Sequence, residues 1–418
     1  MSRPTAIERL LQTGRLLKAE GAGGVSNRMR QRLANRIAPA GGVRSPIARS
    51  DLLAAAEVAR SGWVLPDLLD HEPGTPMTIA WVTYAPGAGS GGHTTLFRLV
   101  SALEQAGHRC IVYVIDEHGW ALQQHERTIR SWWPWVEAEV RDAADGIEDA
   151  HAIFATGWES AYRVLSSPAR GKRFYLVQDF EPWFYPAGSE ALLAEATYRF
   201  GFHAVTAGRF LAEFLGERYG IVADHFDFGR DGAYRIDPAI PPEARTGICV
   251  YARPDTPRRA TGLALTALDL LAARHPEVDI HFYGGSPRSV PFAATDHGLL
   301  APEKLNALYN RCIAGLALSA TNVSLVPHEM MAAGCIPVVN DAEHNRLVLD
   351  NDCVVYAHAT PFELADALCS LVERPLEVRA AAAAAAAASV EDLSWDHAGD
   401  AIVRIVRSQV EAPATVGR

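Results

Sequence analysis

Residues 78–93 read Thr78-Ile-Ala-Trp-Val-Thr-Tyr84-Ala-Pro-Gly87-Ala-Gly89-Ser-Gly91-Gly92-His93. An apolar, β-rich run ends in glycines, a helix pattern covers Thr94–Gln105, and a second apolar run follows at Cys110–Ile115. Strand, glycine turn, helix and strand make a βαβ unit, whose crossover helix sets two strands parallel. Further short apolar runs at Ala152–Ala155, Phe174–Val177 and Ala204–Val205 are separated by helical stretches. Strands without a polar face belong to a parallel sheet covered on both sides.

The alternation stops at residues 225–246, where Gly229, Gly232, Pro238, Pro241 and Pro242 break any period, so an interdomain linker is expected there. It restarts with strand candidates Ile248–Tyr251, Ile280–Tyr283, Ile313–Leu318, Ile336–Val339 and Cys353–Tyr356. The expected fold class is therefore α/β, with two Rossmann-like, doubly wound lobes facing a cleft. Nine consecutive alanines, Ala380–Ala388, predict a solvent-facing helix because alanine has the highest helix propensity. A last helix is expected over Ala398–Val410. Ahead of the first lobe, Ile7, Leu10, Leu11 and then Met29, Leu33, Ile37 keep helical spacing around a Gly21–Gly24 interruption. The expected domains are a helical extension at 1–77, lobes at 78–240 and 241–395, and a C-terminal helix at 396–418.

A chain of 418 residues suits two domains, and 49% apolar with 21% charged residues is a globular composition. No apolar window is long enough to span a bilayer and no signal-peptide pattern opens the chain. Six scattered cysteines without metal-site spacing read as reduced thiols, so a soluble cytoplasmic protein is expected. The net charge of −10 divides into +8 on residues 1–50 and −18 on the rest. An acidic body argues against nucleic acid as a partner.

Gly87-Ala-Gly89-Ser-Gly-Gly92 has the GxGxxG form, between a strand and a helix, with Asp116 ending the next strand. That is the context of a dinucleotide fingerprint, which would make the chain an NAD-dependent oxidoreductase. Glycine is also common at any first βα turn. In the second half, Tyr251-Ala-Arg253-Pro-Asp-Thr-Pro-Arg258-Arg259 follows a strand, where open α/β sheets bind ligands. Guanidinium forks suit a diphosphate, although a solvated basic turn has the same composition. Farther on, Leu318-Ser-Ala-Thr321-Asn322-Val-Ser324-Leu325-Val-Pro-His328-Glu329-Met-Met-Ala-Ala-Gly334 carries a strand end into a helix start near Pro327. Backbone N–H groups there could receive phosphate, and Glu329 could accept ribose hydroxyls or simply suit the helix dipole. His328-Glu329 opens like a zincin motif, but position 332 is alanine, so no metal is expected.

These second-half segments resemble the nucleotide-sugar lobe of family 4 GT-B glycosyltransferases. From about residue 78 the chain looks like the WsaF-type rhamnosyltransferases. The marks are Gly91-Gly92-His93, and Leu176-Val-Gln178-Asp179-Phe180-Glu181-Pro-Trp183-Phe184-Tyr185-Pro186 running to Tyr198-Arg199-Phe200-Gly201. The resemblance implies transfer of L-rhamnose from dTDP-β-L-rhamnose to a surface glycan acceptor, lipid-linked in one form, without a cofactor. It implies that Arg253 and Arg258 hold the diphosphate and Glu329 the ribose, with Thr321, Asn322 and Ser324 lining sugar and phosphates. Tyr251, Arg259, Gly284, Leu300 and Leu325 complete the implied donor contacts. Gly91, Gly92, Trp183 and Tyr185 are the implied acceptor contacts, and Asp179, Glu181 and His93 the implied catalytic group. The last helix is implied to return to the first lobe. Thr321 departs from the pattern, since many members carry glutamate there, and stereochemistry and sugar identity stay open.

Read from the residues alone, Phe180, Trp183, Phe184 and Tyr185 around Asp179 and Glu181 serve equally as sugar platforms or as core. His93 serves equally as a ligand or a turn residue. In residues 1–50, Arg28, Arg30, Arg32 and Arg36 interleave with Met29, Leu33 and Ile37. Such a segment is either a solvated tail or a basic amphipathic helix for peripheral contact with the inner membrane face.

Overall fold

The computed structural model describes residues 47–411, apart from 63, 88, 117–119 and 288. The helical and amphipathic readings of residues 1–46 therefore lie outside the described residues. The first sheet has seven strands: β1 Thr78–Tyr84, β2 Arg109–Ile115, β3 Glu139–Asp142, β4 Ala152–Ala155, β5 Lys172–Val177, β6 His203–Ala207 and β7 Ala223–Phe226. The second has six: β8 Gly247–Tyr251, β9 Asp279–Tyr283, β10 Thr295–Asp296, β11 Cys312–Leu316, β12 Ile336–Asn340 and β13 Val355–Ala357. Their orders are β3-β2-β1-β4-β5-β6-β7 and β10-β9-β8-β11-β12-β13, and every pairing is parallel. In each sheet the order reverses beside its first strand, between β1 and β4 and between β8 and β11. A doubly wound sheet opens its ligand crevice at the C-terminal strand ends there.

The central strands form because both of their faces find apolar cover. Trp81, Phe154 and Phe174 are register partners on β1, β4 and β5, and their rings stack at 4.0 and 4.6 Å. In the second lobe Gly315 of β11 lets the helix Val326–Ala332 seat against the sheet. A Cβ at that position would overlap Met330 and lie 2.8 Å from Cys249 Sγ. The missing side chain therefore sets the height of the helix that carries Glu329.

The expected linker is pinned to the second lobe. After Phe226 the chain crosses to Gly247, and Arg230 donates to the carbonyls of Val390 and Glu391. The helix Trp395–Val410 packs on the helix Gly91–Gln105, close enough that a Cβ on Gly399 would be 2.8 Å from that of Ala102. One expectation changes. Ala380–Ala388 lies in the helix Leu376–Ser389, but Ala383 and Ala386 are buried, so the run is not wholly solvent-facing. Alanine lets this helix approach Gly334 closely. Part of the expected extension is in contact with the first lobe. The helix Arg49–Arg60 already packs on Trp158–Ser166, where buried Asp51 pairs with Arg163 at 3.2 Å.

Candidate functional site

Each first-lobe residue of the site stands on a loop or first helical turn that follows the C-terminal end of β1 or β5. Beyond β1, Ser90 caps the helix Gly91–Gln105 by accepting from His93 N at 3.3 Å. His93 Nδ1 lies 2.9 Å from Ser90 Oγ, and the ring also bonds the Tyr84 backbone. Burial pushes His93 down to about 4. The ring is thus neutral and tied to the glycine turn through Ser90 and to the end of β1 through Tyr84. Beyond β5, Gln178 Nε2 donates to Gly92 O at 3.1 Å. Asp179 follows, and its Oδ1 accepts from Phe180 N at 2.9 Å.

The two carboxylates of this loop part company. Asp179 faces the second lobe: its Oδ2 accepts from Thr321 Oγ1 at 2.9 Å and lies 3.5 Å from Arg258 Nε. Burial raises its pKa, while Arg258, Arg259 and the Thr321 bond oppose the rise. Glu181 turns back into the first lobe and accepts from Tyr175 OH at 2.7 Å. Burial first and Glu159 second push Glu181 up to about 8. Of the two, only Asp179 faces the second lobe. Trp183 is exposed on top of Phe180 and Phe214, a flat apolar surface, whereas Tyr185 OH accepts from Trp158 Nε1 at 3.0 Å.

The second-lobe side comes from the turns after β8, β9 and β11. Arg253 Nη1 donates to Gly284 O at 2.9 Å, and Arg259 Nη1 to Ser319 Oγ at 3.1 Å. Arg258 lies over the Phe184 ring at 4.2 Å, and its Nε is buried without a hydrogen-bond partner. An unsatisfied guanidinium N–H in the cleft suits an anionic oxygen. Ala320 N donates to Arg258 O at 2.9 Å, tying the arginine turn to the loop of Thr321, Asn322 and Ser324. Gly284 has φ +87°, and a Cβ there would lie 2.6 Å from the Tyr251 ring. Leu300 is half-buried against the main apolar cluster, and half-buried Leu325 precedes the helix Val326–Ala332.

Glu329, in that helix, hydrogen-bonds Tyr234, and burial followed by Asp231 pushes it up to about 8. His328 is buried, held near 4 by desolvation, with Nδ1 unpartnered. The lobes meet directly at Asn322, whose Nδ2 donates to Gln178 O at 2.9 Å and Ala207 O at 3.3 Å. Tyr175, Ser319 and Tyr234 join the site without a sequence signal. The first is an ordinary strand aromatic, the second an unmarked serine, and the third lies in the aperiodic linker. Asp116 goes elsewhere: it accepts from Trp120 N at 2.9 Å and lies 3.1 Å from His125 Nε2. That carboxylate is committed to its own loop, which gives the dinucleotide reading no support.

Residues 246–369 match the family model of the WsaF C-terminal domain. An O-antigen biosynthesis protein of Myxococcus xanthus, RfbC, is 30% identical over 342 residues, 78% of this chain and 27% of that protein. The chain thus spans about a quarter of that curated relative's length. Among solved structures, HepE of Anabaena in complex with UDP-glucose aligns with TM-score 0.62 and 14% identity over 79% of this chain and 100% of that one. TarM aligns with TM-score 0.66 and 8% identity, covering 82% and 100%. WaaG, a glycosyltransferase of lipopolysaccharide biosynthesis, aligns with TM-score 0.58 and 12% identity, covering 80% and 100%. At these identities the shared property is the fold. This chain has the GT-B fold, two Rossmann-like lobes around a cleft.

Proposed function

We propose that the chain is a glycosyltransferase of surface polysaccharide synthesis. It moves L-rhamnose from dTDP-β-L-rhamnose to a hydroxyl of a glycan acceptor. The observation that carries the reading is Arg258, a guanidinium with a buried unsatisfied Nε, facing Asp179 across the cleft between the lobes. The donor diphosphate would lie along Arg253, Arg258 and Arg259, and its ribose against Glu329. The acceptor would lie over Gly91, Gly92, Trp183 and Tyr185. Asp179 Oδ2 takes the proton of the acceptor hydroxyl as its oxygen bonds the sugar anomeric carbon. The sugar–oxygen bond to the diphosphate breaks, and the electron pair leaves with the phosphate oxygen beside Arg258. Both substrates are held by opposite lobes, so closure supplies the alignment.

HepE was solved with UDP-glucose, which names the competing donor class. Incubation with dTDP-β-L-rhamnose, UDP-glucose and NAD, each with synthetic rhamnosides, separates the readings. Product from dTDP-β-L-rhamnose alone is expected; turnover of UDP-glucose instead would move the donor assignment. Among the described residues no helix is long and apolar enough to cross a membrane. The +8 segment at residues 1–50 is proposed to hold the enzyme on the anionic cytoplasmic face, each basic residue contributing about 1 kcal/mol near the surface. The full chain should sediment with anionic vesicles at low salt, and the chain without residues 1–46 should not. Equal sedimentation of both would remove that role.

A further inference from the structure

On the second lobe, at the strand starts and so opposite the donor turns, lies a narrow crevice whose enclosed part, about 10 Å³, is water-sized and whose mouth opens to solvent. It is bounded by Arg245, Arg374 and Arg379, with Ile336, Leu371 and Ala383 as apolar wall, and no carboxylate lines it. Arg245 is only 8% exposed. Its Nη groups donate to Tyr309 O at 3.2 Å, Cys312 O at 3.4 Å, Asn310 Oδ1 at 2.9 Å and Ala333 O at 2.8 Å. Every one of those acceptors is neutral, so the hydrogen bonds are made but the buried charge has no counterion, and burial lowers its pKa. Buried charges are ordinarily paired.

The other two guanidinium groups sharpen the imbalance. Among the described residues neither Arg374 nor Arg379 has an ion pair, and Arg379 Nε is buried without any hydrogen-bond partner. Arg379 also stands in the first turn of the helix Leu376–Ser389, where the helix dipole disfavours a cation. Three positive groups therefore share one crevice against the local electrostatics, with donor capacity unspent.

We propose that the mouth of this crevice, at Arg374 and Arg379, binds a phosphate group, either as the free ion or as the head of a phosphoester whose carbon lies on the alanine and leucine wall. Paired guanidinium donors fit tetrahedral phosphate oxygens, and the apolar wall has no polar group to serve. The occupant would touch the arginine that holds Ala333 O, just beyond the helix carrying Glu329.

The test uses the full chain and inorganic phosphate, with ionic strength held constant by sodium chloride. Calorimetry and thermal melts compare wild type with Arg374→Gln/Arg379→Gln and with Arg253→Gln/Arg258→Gln, which reports any phosphate taken by the donor turns. The expected result is saturable stabilisation of wild type by phosphate, kept in the donor-turn variant. In the crevice variant, affinity should weaken by at least about tenfold, the change that one lost charged hydrogen bond produces. An unaltered phosphate response in the crevice variant, or none in wild type, overturns the site. The variants' melting temperatures without phosphate check the fold, and single Arg374→Gln, on a half-exposed side chain, repeats the comparison should the double variant melt early. Sedimentation with phosphatidate vesicles, against phosphatidylglycerol vesicles of equal charge that residues 1–50 bind as well, identifies the source. A phosphatidate excess over phosphatidylglycerol that is lost in the crevice variant assigns a lipid headgroup, and equal binding to both lipids by wild type and variant assigns the soluble ion.

Discussion

Arg258 and Asp179 oppose each other across the cleft at 3.5 Å, yet Arg258 Nε has no hydrogen bond. A diphosphate oxygen would satisfy that donor, so Arg258→Ala should weaken nucleoside-diphosphate binding by about 1.5–3 kcal/mol. Calorimetry with dTDP measures it, and wild-type affinity would remove Arg258 from the donor site. Arg253 differs, since its Nη1 already supports Gly284 O, and its loss should cost both affinity and loop order. The shifted carboxyls make a second prediction. Glu181 and Glu329 titrate near 8 in the folded chain and near 4.3 in an unfolded one. Between those values the native state holds protons that the unfolded state has released, so stability falls as pH rises. His93 and His328, held near 4, act oppositely up to the unfolded value of about 6.5, because there the unfolded state binds the extra proton. The decline should therefore emerge between about pH 6.5 and 8. Melting curves across that window should slope down, and Glu181→Gln should flatten part of the slope.

The turns that end β8 and β9 meet at Gly284, the point where element geometry controls the donor site. With φ +87° and the Tyr251 ring 2.6 Å from any added Cβ, the position accepts neither the conformation nor the volume of alanine. Gly284→Ala should destabilise the chain by about 1–3 kcal/mol, the usual range for overpacking or a strained backbone. It should weaken dTDP binding in the same protein. Unchanged melting with unchanged affinity would show that the turn relaxes at little cost. The central strands are legible in the sequence because apolar residues run unbroken, as in Thr78–Tyr84 and Ala152–Ala155. Strands β3, β7 and β10 are not, since Glu139–Asp142, Ala223–Phe226 and Thr295–Asp296 are short edge strands with polar or half-exposed residues. The site divides on similar grounds. Arg253, Arg258, Thr321 and Asn322 are readable because they directly follow strands, where such folds bind ligands. Tyr234 reaches Glu329 from an aperiodic segment, and only the folded path of the linker brings it there.

At the scale of the whole molecule, polar bonds bridge the lobes at the cleft, and Asn322 makes two of them. Its amide spans to two first-lobe carbonyls, Gln178 O and Ala207 O, while its own Oδ1 is buried without a partner. Thr321 adds the bond to Asp179, and Gly208 lies against Val348, where a Cβ would be 3.0 Å from a methyl. They stand beside the apolar packing of Leu347 and Val348 on the first lobe. Each polar bond contributes about 0.5–1.5 kcal/mol net, so closure is a modest balance that ligands can tip. Asn322→Ala removes both bridging bonds and should shift the unliganded population toward an open cleft. Small-angle scattering should then record a larger radius of gyration for the variant, restored toward the wild-type value by saturating dTDP. Donor affinity should fall by the share of closure lost, whereas melting of each lobe should change little, because Asn322 lies between the cores. An unchanged radius of gyration with reduced affinity would instead make Asn322 a direct donor contact, with the lobes held shut by other groups.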